Sequence, residues 1–178
     1  MTMPQVRVVP HDTDWAFAFA READRILAGV SFEVVKIHHI GSTAVRGIYA
    51  KPIIDILIEV KDIDAVDRNA TDMVRLDYEA MGAYGVPGRR YFRRYTDGHR
   101  SHHVHAYPEG HSEIERHLVF RDYLRANRRA AERYGRHKLE VAARYPDDLS
   151  GYAKAKADFV TEMEAKALAL ARSCPESR

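Results

Sequence analysis

Residues 32–60 read FEVVKIHHIGSTAVRGIYAKPIIDILIEV, and this stretch decides the fold. Valine and isoleucine dominate residues 32–40, a glycine-led turn follows at Gly41-Ser42-Thr43, and a second apolar run extends from Pro52 to Val60. β-Branched residues at this density, bounded by glycine and proline, are typical of strands. The segment therefore predicts two strands of one sheet with a tight glycine turn after the first.

The second strand carries two carboxylates on one face. Because side chains alternate along a strand, Asp55 and Glu59 point to one side and the isoleucines of the strand to the other. A buried carboxylate is costly unless it is paired, hydrogen-bonded or bound to a cation. Asp55, and after it Glu59, are candidate catalytic residues and metal ligands. The alternative is that Lys51 or an arginine holds Asp55 and that Glu59 emerges into solvent.

The flanking regions alternate between helical and strand patterns, and the chain after Gly110 is helical. We predict an α/β (α+β) fold in which residues 1–110 form a mixed-sheet core, residues 111–172 a C-terminal helical hairpin or bundle, and residues 173–178 a flexible tail. The predicted elements are a strand at 5–9, a helix from Asp12 or Thr13 to Gly29, a helix from Asp62 or Asp64 to about Gly82, a hairpin of 91–95 and 101–107 about Asp97-Gly98, and helices at 111–127, 128–145 and 151–172.

Composition narrows the class of protein. The chain has 178 residues, a net charge of +2 and one cysteine, Cys174, so no internal disulfide can form. No apolar run approaches the ~18 residues of a membrane span, and residues 1–10 lack a signal-peptide core. We expect a cytoplasmic protein without a membrane partner. The oligomeric state stays open.

Five arginines and one acid lie between Arg89 and Arg100, interleaved with aromatic residues. Such a stretch suits stacking and phosphate contact with a nucleic acid, or it is a well-solvated hairpin. Because no recognition module accompanies it and the net charge is small, we do not expect nucleic acid to be the partner.

Two histidines on one strand face, His103 and His105, suggest a different chemistry. This His-x-His spacing can chelate Zn²⁺ or Ni²⁺ together with a nearby carboxylate. The alternative is that both are hydrogen-bonded histidines that line or pack a cleft.

Several segments together resemble the GrpB family, a branch of the nucleotidyltransferase superfold. The resemblance covers about residues 6–168. The segments are HIGSTAV at 39–45, AKPIIDI at 50–56, HVH at 103–105, FRDYLR at 120–125, YGRHK at 134–138, and Tyr152 with Lys156.

This resemblance implies a mixed-sheet nucleotidyltransferase-like core followed by helices, with a small nucleotide or phosphorylated ligand as partner. The Gly-Ser turn would hold phosphates, and Asp55 with Glu59 would hold Mg²⁺ or Mn²⁺. The phosphate- or substrate-binding residues implied are Gly41, Ser42, Thr43, Lys51, Arg121 and Lys138.

The chain departs from the pattern of active nucleotidyltransferases at three places. Leu57 stands at the second position of the usual Asp-x-Asp, histidines stand on the later strand where a carboxylate is usual, and Arg46 replaces a proline in the turn. Three hypotheses follow. The first is a nucleotide-binding protein with metal-dependent nucleotidyl transfer. The second is a non-catalytic nucleotide- or anion-binding or regulatory domain with a degenerate metal site. The third is a metalloenzyme centred on His103 and His105, which would also be metal ligands.

Overall fold

A five-stranded mixed sheet forms the centre of the molecule in the computed structural model, which describes residues 6–173. The strands lie in the order β1-β2-β5-β4-β3, where β2 is antiparallel to β1 and parallel to β5, and the remaining pairs are antiparallel. The predicted mixed α/β fold with C-terminal helices is confirmed. The strands are β1 Val34–Ile40, β2 Ile54–Val60, β3 Glu79–Ala80, β4 Arg90–Thr96 and β5 His99–Pro108.

Helices cover both faces of this sheet. The isoleucines of β2 face a core that includes Trp15, Ile26 and Met73, while Leu57 faces a smaller cluster with Ile114. Alternate apolar side chains of β2 therefore pack into two separate cores, one on each face of the sheet. The helices are α1 Asp14–Gly29, α2 Ile63–Arg68, α3 Ala70–Arg75, α4 Ser112–Ala126, α5 Arg128–Arg144 and α6 Leu149–Ser173.

The three C-terminal helices pack against the connection between β1 and β2. Val45 and Ile48 of that connection share an apolar cluster with Leu124, Tyr134 and Met163. This packing places α4, α5 and α6 beside the glycine turn. None of the helices in residues 6–173 is both long and apolar enough to cross a membrane.

Two predicted elements differ from the structure. The helix predicted to reach Gly82 is instead two short helices that break at Asn69, whose side-chain amide bonds the carbonyl of Ala65. The chain then turns at Asp77, where φ is 61°, and forms the short edge strand β3. Of the strand predicted at residues 5–9, the described residues 6–9 form a single bridge, between Val9 and Ala50.

Ser173, predicted as the first residue of a flexible tail, is instead the last residue of α6. Residues 174–178, with Cys174, lie outside the described residues, as do residues 1–5.

Candidate functional site

The turn after β1 lies directly against Asp55. Gly41 has φ 70° and ψ −169°, and a Cβ atom at this position would lie 2.4 Å from Asp55 Oδ2. The pairing of Ile40 with Asp55 across β1 and β2 sets this approach, and a one-turn 3-10 helix, Ser42–Ala44, follows. The structure thus brings together Gly41, Ser42 and Asp55, as the sequence predicted.

These residues form one end of a cavity of about 190 Å³ between the sheet and the C-terminal helices. Strands β1, β2 and β5 supply one wall, and α4, α5 and α6 the other. The residues that line it are Ile40, Gly41, Ser42, Asp55, His105, His117, Phe120, Arg121, Leu124, Tyr134, Lys156, Val160 and Glu164.

Asp55 is a charged carboxylate with one strong partner. Its side chain is 27% exposed, and its Oδ1 lies 3.0 Å from Nδ1 of His103. Burial by itself would raise the pKa of Asp55, but the hydrogen bond and charge of His103 lower that pKa below its ordinary value. His103 therefore holds the carboxylate in place, and Oδ2 is the oxygen that lies against the glycine turn.

Glu59 lies apart from this cavity. It is buried, and its Oε1 lies 2.6 Å from Nε2 of His38. Leu57, one pleat before it, is fully buried in the apolar cluster with Ile40 and Ile114. Within residues 6–173 no group of three or more histidine, cysteine, aspartate or glutamate side chains is placed to hold a metal ion. The chain therefore supplies one carboxylate of the predicted pair to the cavity, together with Glu164 of α6.

Three lysines surround two tyrosines on the helical side. The Nζ of Lys138, a residue only 2% exposed, lies 4.3 Å from the centre of the Tyr134 ring and has no hydrogen-bond partner. The Nζ of Lys51 lies 3.9 Å from the centre of the Tyr152 ring, and the Nζ of Lys156 lies 5.8 Å from the same point. None of the three amines forms an ion pair within the described part of the chain.

Burial and mutual repulsion act on two of these amines. Burial, together with the nearby charges of Lys156 and Arg100, lowers the pKa of Lys51 to about 8. Burial and Lys156 also lower the pKa of Lys138 well below its ordinary value. Asp55 is the acid whose charge reaches both groups and opposes this effect. The region therefore holds an excess of positive charge at short range.

The remaining predicted binding residues are already bonded within the protein. Arg121 lines the cavity, donates from Nη1 to the carbonyl of His39 at 3.1 Å, and bonds Asp122 through Nε and Nη2. The hydroxyl of Thr43 donates to the carbonyl of Ile53 and accepts from His39 Nε2. Thr43 is buried and fixes the turn, whereas Ser42 lines the cavity.

Two histidines line the cavity, His105 from β5 and His117 from α4. His105 lines the cavity, its Nδ1 is buried without a partner, and its ring centre lies 5.6 Å from that of His117. Burial lowers the pKa of His105 to about 3 and that of His117 to about 4, so both are neutral at pH 7. His103 bonds Asp55 but does not line the cavity, and its Nε2 is buried without a partner.

Among the charged and histidine residues of the cavity, sequence reasoning did not select His117 and Glu164, and it treated Lys156 as a packing position first and a ligand-facing position second. Lys156 lies four residues after Tyr152, so the two share a helix face, but the same spacing suits plain packing. His117 and Glu164 carry no local signal, because only the docking of α4 and α6 brings them to the sheet.

The family model for "GrpB protein" matches residues 5–166, most of the chain. The chain belongs to the GrpB family. A crystal structure of GrpB from Enterococcus faecalis superposes with a TM-score of 0.86 at 39% identity, covering 91% of this chain and 97% of that one. The resemblance inferred from the sequence motifs is thereby confirmed, and the nucleotidyltransferase-like superfold is compatible with it.

Relatives of this GrpB-family chain include proteins of different lengths. The UPF0157 protein YqkA of Bacillus subtilis is 40% identical over 92% of this chain, which spans about half of its length, 47%. The glutamate-rich protein GrpB of Alkalihalophilus pseudofirmus is 31% identical, with 89% of this chain and 94% of that protein covered. A dephospho-CoA kinase of Mycobacterium tuberculosis is 28% identical over 84% of this chain and 43% of the kinase.

Proposed function

We propose that this GrpB-family protein binds a nucleotide, or a related phosphorylated metabolite, with its phosphates in the cavity beside Gly41 and Asp55. The observation that carries the proposal is the set of three lysines, Lys51, Lys138 and Lys156, without an ion-pair partner in residues 6–173. Lys156 lines the cavity, and Lys51 and Lys138 lie against the rings of Tyr152 and Tyr134.

Buried positive charge without a counterion supports a phosphate group as the ligand. Removing an ammonium group from water costs several kcal/mol unless an acceptor replaces the water, and Lys138 has the ring of Tyr134 beside it but no hydrogen-bond acceptor within the described chain. A phosphate would satisfy the amines and relieve their mutual repulsion. Gly41 has no side chain, so a ligand can approach the backbone of the turn closely.

The neutral side chains of the cavity support a nucleotide over inorganic phosphate. Phe120 and Tyr134 offer aromatic rings, and Leu124 and Val160 offer apolar surface, which suits a base or a ribose. A relative named dephospho-CoA kinase acts, by that name, on a molecule that contains an adenine nucleotide. The chain matches 43% of that kinase, so the likeness supports the ligand class and not the kinase reaction.

Nucleotidyl transfer is the second candidate function, and Asp55 favours it. A Mg²⁺ or Mn²⁺ ion bound with phosphates needs only one or two protein carboxylates, and Asp55 fits that role beside the turn. The ion would supply neutralisation of the phosphate charge. The engagement of Glu59 by His38 and the presence of Leu57 favour the non-catalytic rival instead. Zn²⁺ or Ni²⁺ at His103 and His105 stays a prediction.

The test measures ATP and pyrophosphate binding by calorimetry in the wild type, Lys138→Met and Lys154→Met. Charged hydrogen bonds contribute about 1.5–3 kcal/mol, so Lys138→Met should weaken ATP binding at least ~10-fold. Lys154 is exposed on α6 outside the cavity, and Lys154→Met should bind within about twofold of the wild type. Without ligand, Lys138→Met should also unfold at a higher urea concentration, because a buried amine without a hydrogen-bond partner is removed.

The metal question is tested with Asp55→Asn in the presence and absence of Mg²⁺ or Mn²⁺. ATP binding that requires the metal and is lost in Asp55→Asn supports transfer. ATP binding that survives both changes supports the non-catalytic rival. Binding of neither ATP nor pyrophosphate by the wild type would refute the proposed function.

A further inference from the structure

A second concavity of about 640 Å³ lies beside the cavity at Gly41 and Asp55, which we call the phosphate cavity after the proposed function. It runs between residues 44–48 of the connection and the facing ends of α4 and α5, and Leu124 lines both spaces. Ser42 lines the cavity and Ala44, two residues later, lines the second space, so the turn separates them. We call this second space the arginine groove, after Arg46, Arg125 and Arg128 on its walls.

The floor of the arginine groove is apolar and aliphatic. Val45, Ile48, Leu124 and Ala131 are all nearly fully buried and line it. None of the described residues that line it is aromatic. The groove therefore fits an aliphatic chain better than a nucleobase, which stacks preferentially on rings.

The rim is positively charged. Three arginines face one acid, Glu132, which accepts a hydrogen bond from Arg128 Nε at 2.8 Å. Arg125 donates from Nε to the carbonyl of Ala44 at 2.9 Å, and Arg46 is exposed with no ion pair in residues 6–173. Burial and the charges of Arg121 and Arg46 lower the pKa of Arg125, whereas Asp122, whose Oδ1 lies 3.7 Å from Arg125 Nη1, raises it. Arg46 is therefore the arginine of the rim that has no ion pair in residues 6–173. Guanidinium groups suit a planar or tetrahedral oxyanion.

We propose that the arginine groove binds a second ligand, an aliphatic molecule ending in a phosphate or carboxylate. Its anionic end contacts Arg46 and Arg128, and its aliphatic part lies along the floor toward Ala44. The proposal goes beyond the proposed function, because the groove binds its ligand independently of the ligand in the phosphate cavity. The sizes of the two spaces agree with this division, since ligand sites usually measure about 300–1,000 Å³ and the phosphate cavity alone is smaller.

The test measures the affinity of n-hexyl phosphate, hexanoate, n-hexanol and inorganic phosphate for the full chain. The wild type should bind hexyl phosphate or hexanoate at least ~10-fold more tightly than hexanol or inorganic phosphate, because the groove recognises both ends. The relative affinity of the first two probes identifies the anionic group. The double variant Arg46→Glu with Arg128→Glu should weaken binding of the tighter probe at least ~5-fold. Its affinity for ATP should stay within about twofold.

The matched control is Arg129→Glu, at an exposed arginine of α5 that does not line the groove. It should leave hexyl phosphate binding within about twofold, and equal losses in both variants would mean only nonspecific attraction. Three outcomes would overturn the groove proposal. The wild type binds none of the probes, or it binds hexanol as tightly as hexyl phosphate. The third outcome is that ATP competes with hexyl phosphate and Lys138→Met loses hexyl phosphate binding. If hexyl phosphate binds as expected while ATP does not, the proposed nucleotide function fails and the groove site stands.

Discussion

Gly41 is the residue on which the geometry of the site depends most directly. Its backbone, at φ 70° and ψ −169°, lies in a region that is essentially restricted to glycine, and its missing side chain leaves room for the Asp55 carboxylate. His103 fixes that carboxylate from the other side, so Asp55 cannot move away without breaking a hydrogen bond. Backbone conformation and carboxylate position are therefore coupled.

Gly41→Ala should lower the free energy of unfolding by about 2 kcal/mol and weaken ATP binding, because it adds backbone strain and a contact at 2.4 Å. Urea unfolding measures the first effect and calorimetry the second. Gly98→Ala is the control, since Gly98 also has positive φ but open space around it. It should lose stability without losing ATP affinity. If Asp55→Ala does not recover part of the stability lost in Gly41→Ala, the coupling is wrong.

Sequence reasoning could place Asp55 and Gly41 together because Gly41 follows the end of one predicted strand and Asp55 lies near the start of the next. It could not foresee that His38 would engage Glu59 or that Thr43 would bond inside its own turn. These two contacts depend on the register of the strands and the path of the loop, and the spacing of residues in the sequence predicts neither.

At the scale of elements, local chemistry predicted some boundaries and missed others. The β4–β5 hairpin follows from Asp97-Gly98, which both adopt positive φ as a tight turn requires. The helix expected through Gly82 failed because Asn69 breaks the run and Asp77 takes a left-handed conformation, a choice that propensity alone does not reveal. Boundaries set by a single polar residue are the hardest to predict.

The contact between α5 and the connection before β2 is a second close approach that determines the site. A Cβ atom on Gly135 would lie 3.2 Å from the backbone nitrogen of Tyr49 and 3.4 Å from Cβ of Ile48. This contact presses α5, with Tyr134 and Lys138, against the segment that follows the glycine turn. The spacing between helix and loop therefore controls both the cavity and the arginine groove.

Gly135→Leu should lower the free energy of unfolding by about 2–3 kcal/mol, because the larger side chain cannot fit between α5 and the loop. Gly135→Ala should change it by less than about 1 kcal/mol, since better helix propensity offsets the tight contact. Arg136→Leu places the same side chain on the exposed face of the helix and should be near neutral. Urea unfolding of the three variants tests this, and wild-type stability in Gly135→Leu would contradict the packing argument.

At the scale of the whole molecule, the sheet and the helical layer create a cavity that neither contains alone. The class of fold and the C-terminal helices were predictable from periodicity, and family motifs pointed to the turn. Docking of α4 and α6 over the sheet brings His117, Lys156 and Glu164 to Asp55, and long-range packing of that kind is not encoded in any local window of the sequence. Buried titratable side chains make the free energy of unfolding of the molecule depend on pH.

Four histidines are buried in a neutral form. Burial lowers the pKa of His39, His102 and His117 to about 4 and that of His105 to about 3, against 6.5 in an unfolded chain. Between pH 6.5 and 4 the unfolded chain therefore binds more protons than the folded one, so stability falls as the pH falls through this window. Above pH 7 these groups contribute no pH dependence, because both states are neutral.

The free energy of unfolding from urea titrations should accordingly fall more steeply with pH below pH 6.5 than between pH 8 and 7, where the lowered pKa values of Lys51 and Lys138 act but the histidines do not. Each of these histidines contributes a slope of up to about 1.4 kcal/mol per pH unit. His105→Gln should reduce the slope by about one such increment, whereas His99→Gln, at an exposed position of the hairpin, serves as the matched control. A stability that stays constant from pH 7 to 4.5 would show that the histidines take up protons in the folded state. The description of His105 and His117 as neutral residues of the cavity would then be incorrect.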